Sequence, residues 1–349
     1  MRVKGQDYRT IWMIGSKVCM INQLLLPYHF QLYESAAFIQ TVDAIRVMVV
    51  RGAGAIGAAA GFAMAQACLE APAANYAAFI SHARKTIEAS RPTAYDLFAA
   101  VEKVYQAGLT SPGAAVTAAQ ELADKNASDG RMIGETGQHL IHDGYRIQTH
   151  CNAGWLGFVD YGSALAPVYM AHRSGKKIHV WVDETRPRNQ GARLTAWELQ
   201  QENVPCTLIA DNAAAHLMSR GETDLVIVGA DRVALNGDVA NKIGTLGLAL
   251  AAREFRIPFY VAAPTSTFDV TSARGSAITI EERDPQEVLF VKGLHAETGA
   301  ITEVRVSAPG AEAWNPAFDI TPSGLITGLI TEKGVITPDR ESILGIMRR

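Results

Sequence analysis

The sequence predicts an α/β protein: a parallel sheet wrapped by helices in its C-terminal part, preceded by a smaller, mainly helical N-terminal part. Three observations carry this reading. From about Lys177 onward, short β-branched runs alternate with Ala- and Leu-rich helical stretches, the pattern of strands joined by helical crossovers. Runs such as Leu225–Val228 are apolar at every position, which suits strands buried on both faces. Polar residues follow these runs at once: His150-Cys151-Asn152, Asp183-Glu184-Thr185-Arg186, Asp211-Asn212, Asp231-Arg232 and Pro264-Thr265-Ser266. In a parallel sheet such carboxyl ends share one edge, so residues far apart in sequence gather at a single crevice.

Taken in order, the chain begins with mixed β-rich segments to Val50. Helical segments follow at Gly57 to Leu69, Tyr76 to Ala89 and Ala94 to Ala107. Ser111-Pro112-Gly113 breaks two helices, and a helix from Ala114 through His139 leads into the sheet, dividing the chain into 1–127 and 128–349. Strands are expected at Arg146 to Thr149, Ile178 to Val182, Thr207 to Ala210, Leu225 to Gly229 and Phe259 to Ala262. Asp211 or Asn212 is expected to cap the helix Ala213 to Met218. Beyond Asp231, Asn241 and Lys242 are read as opening the helical run Ile243 to Arg253. Backbone N–H groups, a helix dipole and an ammonium would then converge on one anion.

Composition narrows the function. With 349 residues and 48% hydrophobic content the chain can build a sizeable core. A net charge of −3 without a long basic run makes nucleic acid a poor partner and small molecules better ones. No continuous signal-peptide core opens the chain, and Ala-rich stretches such as Gly57 to Leu69 are read as too short to span a bilayer; a soluble, cytoplasmic protein is expected. Four cysteines without a C-x-x-C pair argue against a zinc knuckle or a redox dithiol. Cys19, Cys68 and Cys206 read as small apolar residues, whereas Cys151 sits at a strand end.

Gly52-Ala-Gly54-Ala-Ile-Gly57 matches the G-x-G-x-x-G pattern of dinucleotide sites, follows the apolar run Ile45 to Val50 and precedes an Ala-rich helix. Its context fails, because Glu70 is followed by Ala-Pro-Ala-Ala-Asn and another helix rather than a second strand ending in an acid. The loop is read instead as a substrate clamp, with the Arg51 guanidinium at its mouth for an oxyanion. Arg91, ahead of the helix start at Pro92 and Thr93, is a second contributor; its alternative is a surface-exposed capping arginine.

Several segments together resemble the methylthioribose-1-phosphate isomerases, which share a superfamily with the regulatory subunits of translation initiation factor 2B. They are Arg51-Gly-Ala-Gly-Ala-Ile-Gly57, Ser90-Arg91-Pro-Thr-Ala94, Thr149-His-Cys151-Asn-Ala-Gly154, Asp183-Glu-Thr-Arg-Pro187, Gln190-Gly-Ala-Arg-Leu-Thr195, Gly229-Ala-Asp231-Arg232, Asn241-Lys242 and Ile257-Pro-Phe-Tyr-Val-Ala-Ala-Pro264. The resemblance implies conversion of an aldose 1-phosphate to a ketose 1-phosphate in methionine salvage, without metal or nicotinamide. It also implies a homodimer whose subunits pair a helical N-terminal domain with a Rossmann-like C-terminal domain. Cys151 and Asp231 then correspond to the catalytic pair, and Arg51, Gly52, Ala53, Arg91, Gln190, Asn241 and Lys242 to substrate-binding positions. Two departures stand out: Gly54 where these isomerases usually carry Pro, and Arg188-Asn189 where they are often more apolar.

Ring opening of an aldose 1-phosphate needs a proton at the ring oxygen. Asp231 is expected to supply it from a carboxyl desolvated by neighbours such as Val228 and Val233, unless it simply pairs with Arg232. Cys151 is expected to manage the proton at C2 through an enediol, or to line a pocket that supports a hydride shift; both routes stay open. His150 is expected to be structural, pointing to the opposite face. A methylthio or methyl group at the 5-position calls for an apolar pocket, with Trp12, Tyr28 and Phe30 as candidates. The competing readings are 5-deoxyribose 1-phosphate or ribose 1,5-bisphosphate isomerase, a non-catalytic initiation-factor-2B-like regulator, and a nicotinamide-dependent dehydrogenase.

Overall fold

The computed structural model describes residues 1–91 and 95–348, with only the backbone of Tyr95; the expected helix start at Pro92 and Thr93 lies outside the described residues. The N-terminal part opens with the two-stranded hairpin Arg2–Val3 and Gln6–Asp7, followed by an antiparallel meander of Ile11–Ile14, Lys17–Ile21 and Leu32–Ser35. Helix Phe38–Arg46 follows, so β structure ends at Ser35 and not near Val50 as expected. The run Ile45 to Val50 is a helix end and a turn: Thr41, Val42, Ala44 and Ile45 recur at helical spacing on the buried face. Helix Ala53–Glu70 is buried from Gly54 through Cys68. At 18 residues it is long and apolar enough to cross a membrane, which corrects the shorter expectation, but 83% of it is buried inside the protein, as a core helix is. Its Ala and Gly residues let helices Phe38–Arg46, Tyr76–Glu88, Tyr95–Gly108 and Pro112–Gly137 pack around it.

Helix Pro112–Gly137 starts where its sequence dictates. The Ser111 hydroxyl accepts from Ala114 N–H at 3.1 Å, and Pro112 occupies the first turn, where a missing N–H costs nothing. This helix runs unbroken through residue 127 into the second part of the chain.

The main sheet has seven strands in the order Gly334–Ile336, Gly328–Thr331, Phe259–Ala262, Leu225–Val228, Arg146–Thr149, His179–Asp183 and Cys206–Ile209. All neighbours are parallel except the edge strand Gly334–Ile336. Chain order starts at Arg146–Thr149, moves outward to one side, then returns to Leu225–Val228 on the other. The switch point therefore lies between Arg146–Thr149 and Leu225–Val228, where open α/β sheets bind ligands.

A second sheet joins Phe268–Asp269, Arg232–Ala234, Val239–Lys242 and Phe318–Thr321. Two of its strands form a hairpin inside what the sequence suggested was one loop after Asp231. Asn236-Gly237 at its tip, with Gly237 at φ +86°, is the turn signal that marks it. Asn241 and Lys242 consequently end a strand, and the helix begins only at Thr245.

Candidate active site

All nine residues singled out from the sequence line one cavity of about 150 Å³. Cys151 follows strand Arg146–Thr149 and Asp231 follows Leu225–Val228, the two strands on either side of the switch point. Arg51, Gly52 and Ala53 enter at the N-terminus of helix Ala53–Glu70, Gln190 from the turn before Gly191–Thr195, and Arg91 from beyond Tyr76–Glu88. Asn241 and Lys242 come from the second sheet, 5% and 9% exposed.

The cations divide into two sets. Arg188 pairs with Glu287 at 2.7 Å, Arg283 with Glu287 at 2.6 Å and Glu281 at 3.3 Å, and Arg232 with Asp269 at 3.5 Å. Arg51, Arg91 and Lys242 have no carboxylate within 4.0 Å among the described residues. Lys242 Nζ donates to the Ala317 carbonyl at 2.8 Å and lies 4.4 Å over the Phe318 ring; burial lowers its pKa. Burial also brings Arg51 down to about 10. With its amide nitrogen turned to the Thr185 carbonyl at 3.2 Å, Gln190 accepts from Arg51 Nη2 at 3.3 Å. Arg91 Nη1 is buried with no hydrogen-bond partner among the described residues, so Arg91 is part of the cavity wall and not a surface cap. Desolvated cations without a carboxylate in direct contact are costly, and together these three make a receptor for an anion.

The helix N-terminus does not share that task. The N–H groups of Gly244 and Leu246 donate to Asp319 at 2.8 and 3.1 Å, so Asp319 neutralises the start of helix Thr245–Glu254. This overturns the expected convergence of helix and ammonium. The capping role of Asp211 is likewise overturned: its carboxylate accepts from Thr185 and Arg186 N–H at 2.6 and 2.7 Å, bracing the neighbouring strand end instead.

Asp231 has no Arg232 partner, since Arg232 turns to Asp269. Burial raises the Asp231 pKa; Lys242 and Arg51 oppose the rise and Glu281 reinforces it. Asp96, in the first turn of Tyr95–Gly108, is a second cavity carboxyl, pushed up to about 6 by burial and then by Asp231. Nothing in the sequence around it signalled this, because an acid in a first helical turn is ordinary. Burial also raises the Cys151 thiol, with Lys242 and Arg51 opposing the rise.

Cys151 adopts φ +65°, a left-handed conformation that costs a side-chain-bearing residue roughly 1–2 kcal/mol. His150 was expected to point away from the site, but it borders the same cavity as Cys151, with Nδ1 facing Asp183 Oδ2 at 2.9 Å and Nε2 the Ile243 carbonyl at 2.8 Å. Both partners are acceptors, which raises the His150 pKa against burial. His150, Asp183 and Asp211 have ligand-type atoms within 4.8 Å of one another, but these atoms are committed to the bonds just described.

Beneath Cys151 runs the turn Asn152–Gly157, organised by Glu198. Its carboxylate accepts from Asn152 Nδ2 at 2.8 Å, Trp155 N at 2.8 Å, Leu156 N at 3.1 Å and the Tyr169 hydroxyl at 2.7 Å. Gly157 of this turn presses on Gly52, φ +90°, where a Cβ would lie 2.4 Å from Gly157 Cα. At Gly54 the corresponding space holds Phe158 and Asn126, so a Pro ring would not fit without rearrangement. Trp12, Tyr28 and Phe30 do not border the cavity; Phe30 stacks on Trp197 at 6.0 Å and Trp12 lies against Tyr8 at 6.4 Å. A side recess next to Arg51 and Gln190 is walled by Leu24, Met48 and Leu194. The glycine motif leads from helix Ala53–Glu70 into helix Tyr76–Glu88 without an intervening strand, so the ribose-binding acid of a dinucleotide site has no place here.

Comparison with known proteins identifies the family. The initiation factor 2 subunit family model matches residues 49–338. The chain is 46% identical to the methylthioribose-1-phosphate isomerase of Methylorubrum populi, over 99% of this chain and 98% of that one. It is similar to the crystal structure of 5-methylthioribose 1-phosphate isomerase from Pyrococcus horikoshii (TM-score 0.88, 38% identity, 98% and 96% covered). It is also similar to that of the translation initiation factor eIF-2B delta subunit from A. fulgidus (TM-score 0.86, 36% identity, 98% and 100% covered). The chain therefore belongs to the initiation factor 2 subunit family, in its methylthioribose-1-phosphate isomerase branch.

Proposed function

We propose that this protein converts S-methyl-5-thio-α-D-ribose 1-phosphate to S-methyl-5-thio-D-ribulose 1-phosphate in methionine salvage. One observation carries the reading: three cations with no carboxylate in contact among the described residues, an acid with raised pKa and a thiol share one cavity at the switch point. The relatives' names support it from outside the geometry. Arg51, Arg91 and Lys242 hold the phosphate, with Gly52 and Ala53 closing on it and Gln190 and Asn241 orienting the sugar.

Asp231 gives a proton to the ring oxygen as the bond from that oxygen to C1 breaks, leaving C1 electron-poor. The hydrogen on C2 then moves to C1, either directly as hydride or as a proton removed at C2 and returned at C1. The C2 hydroxyl loses its proton as the ketone forms. One proton enters and one leaves, and no electrons are exchanged with a second molecule, so the chemistry calls for an acid–base pair and no cofactor. Cys151 is the partner of Asp231 in that pair and accepts a proton through its thiolate, the form that Lys242 and Arg51 favour. Deuterium from solvent at C1 of the product supports the enediol route, and its absence the hydride shift.

A 5-phosphate is disfavoured because Arg188 and Arg283, the other arginines of the wall apart from Arg232, are neutralised by Glu287 and Glu281. The recess at Leu24, Met48 and Leu194 suits an apolar 5-substituent. The same proposal takes 1–127 and 128–349 as two domains, and the enzyme as a cytoplasmic homodimer, which sedimentation tests. Turnover of the 5-methylthio, 5-deoxy and 5-phospho substrates decides among the isomerases. The expected order places the methylthio sugar first and the bisphosphate last. No ketose from any of them would support the regulatory reading instead.

A further inference from the structure

We infer that Thr185 and Thr195 are positioning residues that set the reactive geometry of Cys151 by gripping its main chain from both sides. The Thr185 hydroxyl accepts from Cys151 N–H at 2.8 Å and donates to the Asp183 carbonyl at 3.0 Å. The Thr195 hydroxyl donates to the Cys151 carbonyl at 2.6 Å and accepts from Asn152 Nδ2 at 3.2 Å. Each hydroxyl thus uses one donor and one acceptor, and both threonines are buried, 0% and 1% exposed.

The grip answers a specific need. Cys151 sits at φ +65°, which a residue with a Cβ leaves unless its surroundings hold it there. Relaxation of this one residue would turn the thiol away from Arg51 and Lys242, the two cations whose charge acts on it. Thr185 is itself held, at φ +64°, through its N–H to Asp211 at 2.6 Å. Thr195 closes the π-helical turn Gly191–Thr195 that follows Gln190, and such turns gather at functional sites. One turn further on, the same helix supplies Glu198 to the Asn152–Gly157 turn. The strand end that carries Cys151 is therefore bonded on one side to its sheet neighbour and on the other to the helix that leads from the substrate site.

This inference rests on Cys151 as one half of the acid–base pair, and the test separates the two. Valine matches threonine in shape and lacks the hydroxyl; serine keeps it. In Thr185→Val and Thr195→Val, kcat is expected to fall roughly 10- to 100-fold with KM changed less than about threefold, and serine at either position restores most of the rate. Iodoacetamide labelling of Cys151, followed by peptide mass mapping, reads the thiol directly; its rate is expected to change in the valine variants and return in the serine ones. Should a valine variant fail to fold, alanine carries the same expectations. Unchanged kcat and labelling in the valine variants would overturn the inference, as would serine variants as impaired as valine. Altered labelling with unchanged kcat would leave the grip standing and remove Cys151 from the chemistry.

Discussion

Gly52→Ala tests the phosphate clamp at its tightest point. A Cβ at residue 52 would sit 2.4 Å from Gly157 Cα and 2.5 Å from Gly157 O. Carbon atoms pack best at roughly 3.5–4.0 Å, so one side must retreat by about 1 Å. Gly157 cannot yield easily. Its turn is bonded to Glu198 at Trp155 and Leu156, to Gln23 through the Leu156 carbonyl at 2.8 Å, and to Thr10 through the Trp155 carbonyl at 2.6 Å. The movement therefore falls on Arg51–Ala53. The φ of +90° adds a penalty of roughly 1–2 kcal/mol for any L-residue with a side chain. Overpacking adds about 1–3 kcal/mol more. A clamp displaced by about 1 Å is expected to lose on the order of 100-fold in kcat/KM. The loss should fall largely in KM, because phosphate contacts serve substrate and transition state alike. Steady-state kinetics with a thermal melt reads both effects. Gly54→Ala is the comparison, since its Cβ meets only side chains of Asn126 and Phe158. A folded Gly52→Ala enzyme with wild-type kcat/KM would refute the reasoning.

Asp231→Asn keeps the shape and removes the proton. It is expected to lower kcat by about 10²- to 10⁴-fold with KM little changed, and wild-type turnover would end the acid role. Lys242→Met removes one of the three cations that have no carboxylate in contact; KM should rise roughly 10- to 100-fold, and the change should be matched by weaker inhibition by inorganic phosphate. Asp96→Asn tests the second carboxyl through stability. The folded state raises Asp96 from 3.8 to about 6, so its proton is held more tightly in the folded chain. That contribution is full below the unfolded value and is lost as pH rises through about 6. Asparagine, neutral throughout, should match the wild type near pH 4 and be more stable above pH 7, by on the order of 2 kcal/mol once cavity water is allowed for. Urea melts at the two pH values check this, and an equal difference at both would contradict it.

Much of this protein is determined by local sequence. Strand Phe259–Ala262 has the bounds its apolar run predicts, because a strand buried on both faces favours apolar residues throughout; Arg146–Thr149 also has its expected bounds, although Gln148 lies buried in its middle. The helices from Ala53 to Gly137 follow from composition and from punctuation such as Ser111-Pro112. Cys151 and Asp231 could be brought to one crevice from sequence because parallel strands deliver their following residues to one edge, whatever lies between them in the chain; Gln190, which follows no such strand, is named only through the resemblance to the isomerases.

Tertiary structure decided what depends on partners distant in sequence. Short strands such as Val239–Lys242 are made by pairing with Phe318–Thr321, so Asn241 and Lys242 looked helical until that partner was in place. Whether a charge serves the site is a matter of who neutralises it: Asp319 takes the helix start, Asp269 takes Arg232, and Arg51, Arg91 and Lys242 are left facing the cavity. Asp96 and the threonines that hold Cys151 carry no local signature, since an exposed acid or hydroxyl has the same sequence as a buried one. Residue type sets what a side chain can do; burial and partners, which only the fold assembles, set what it does.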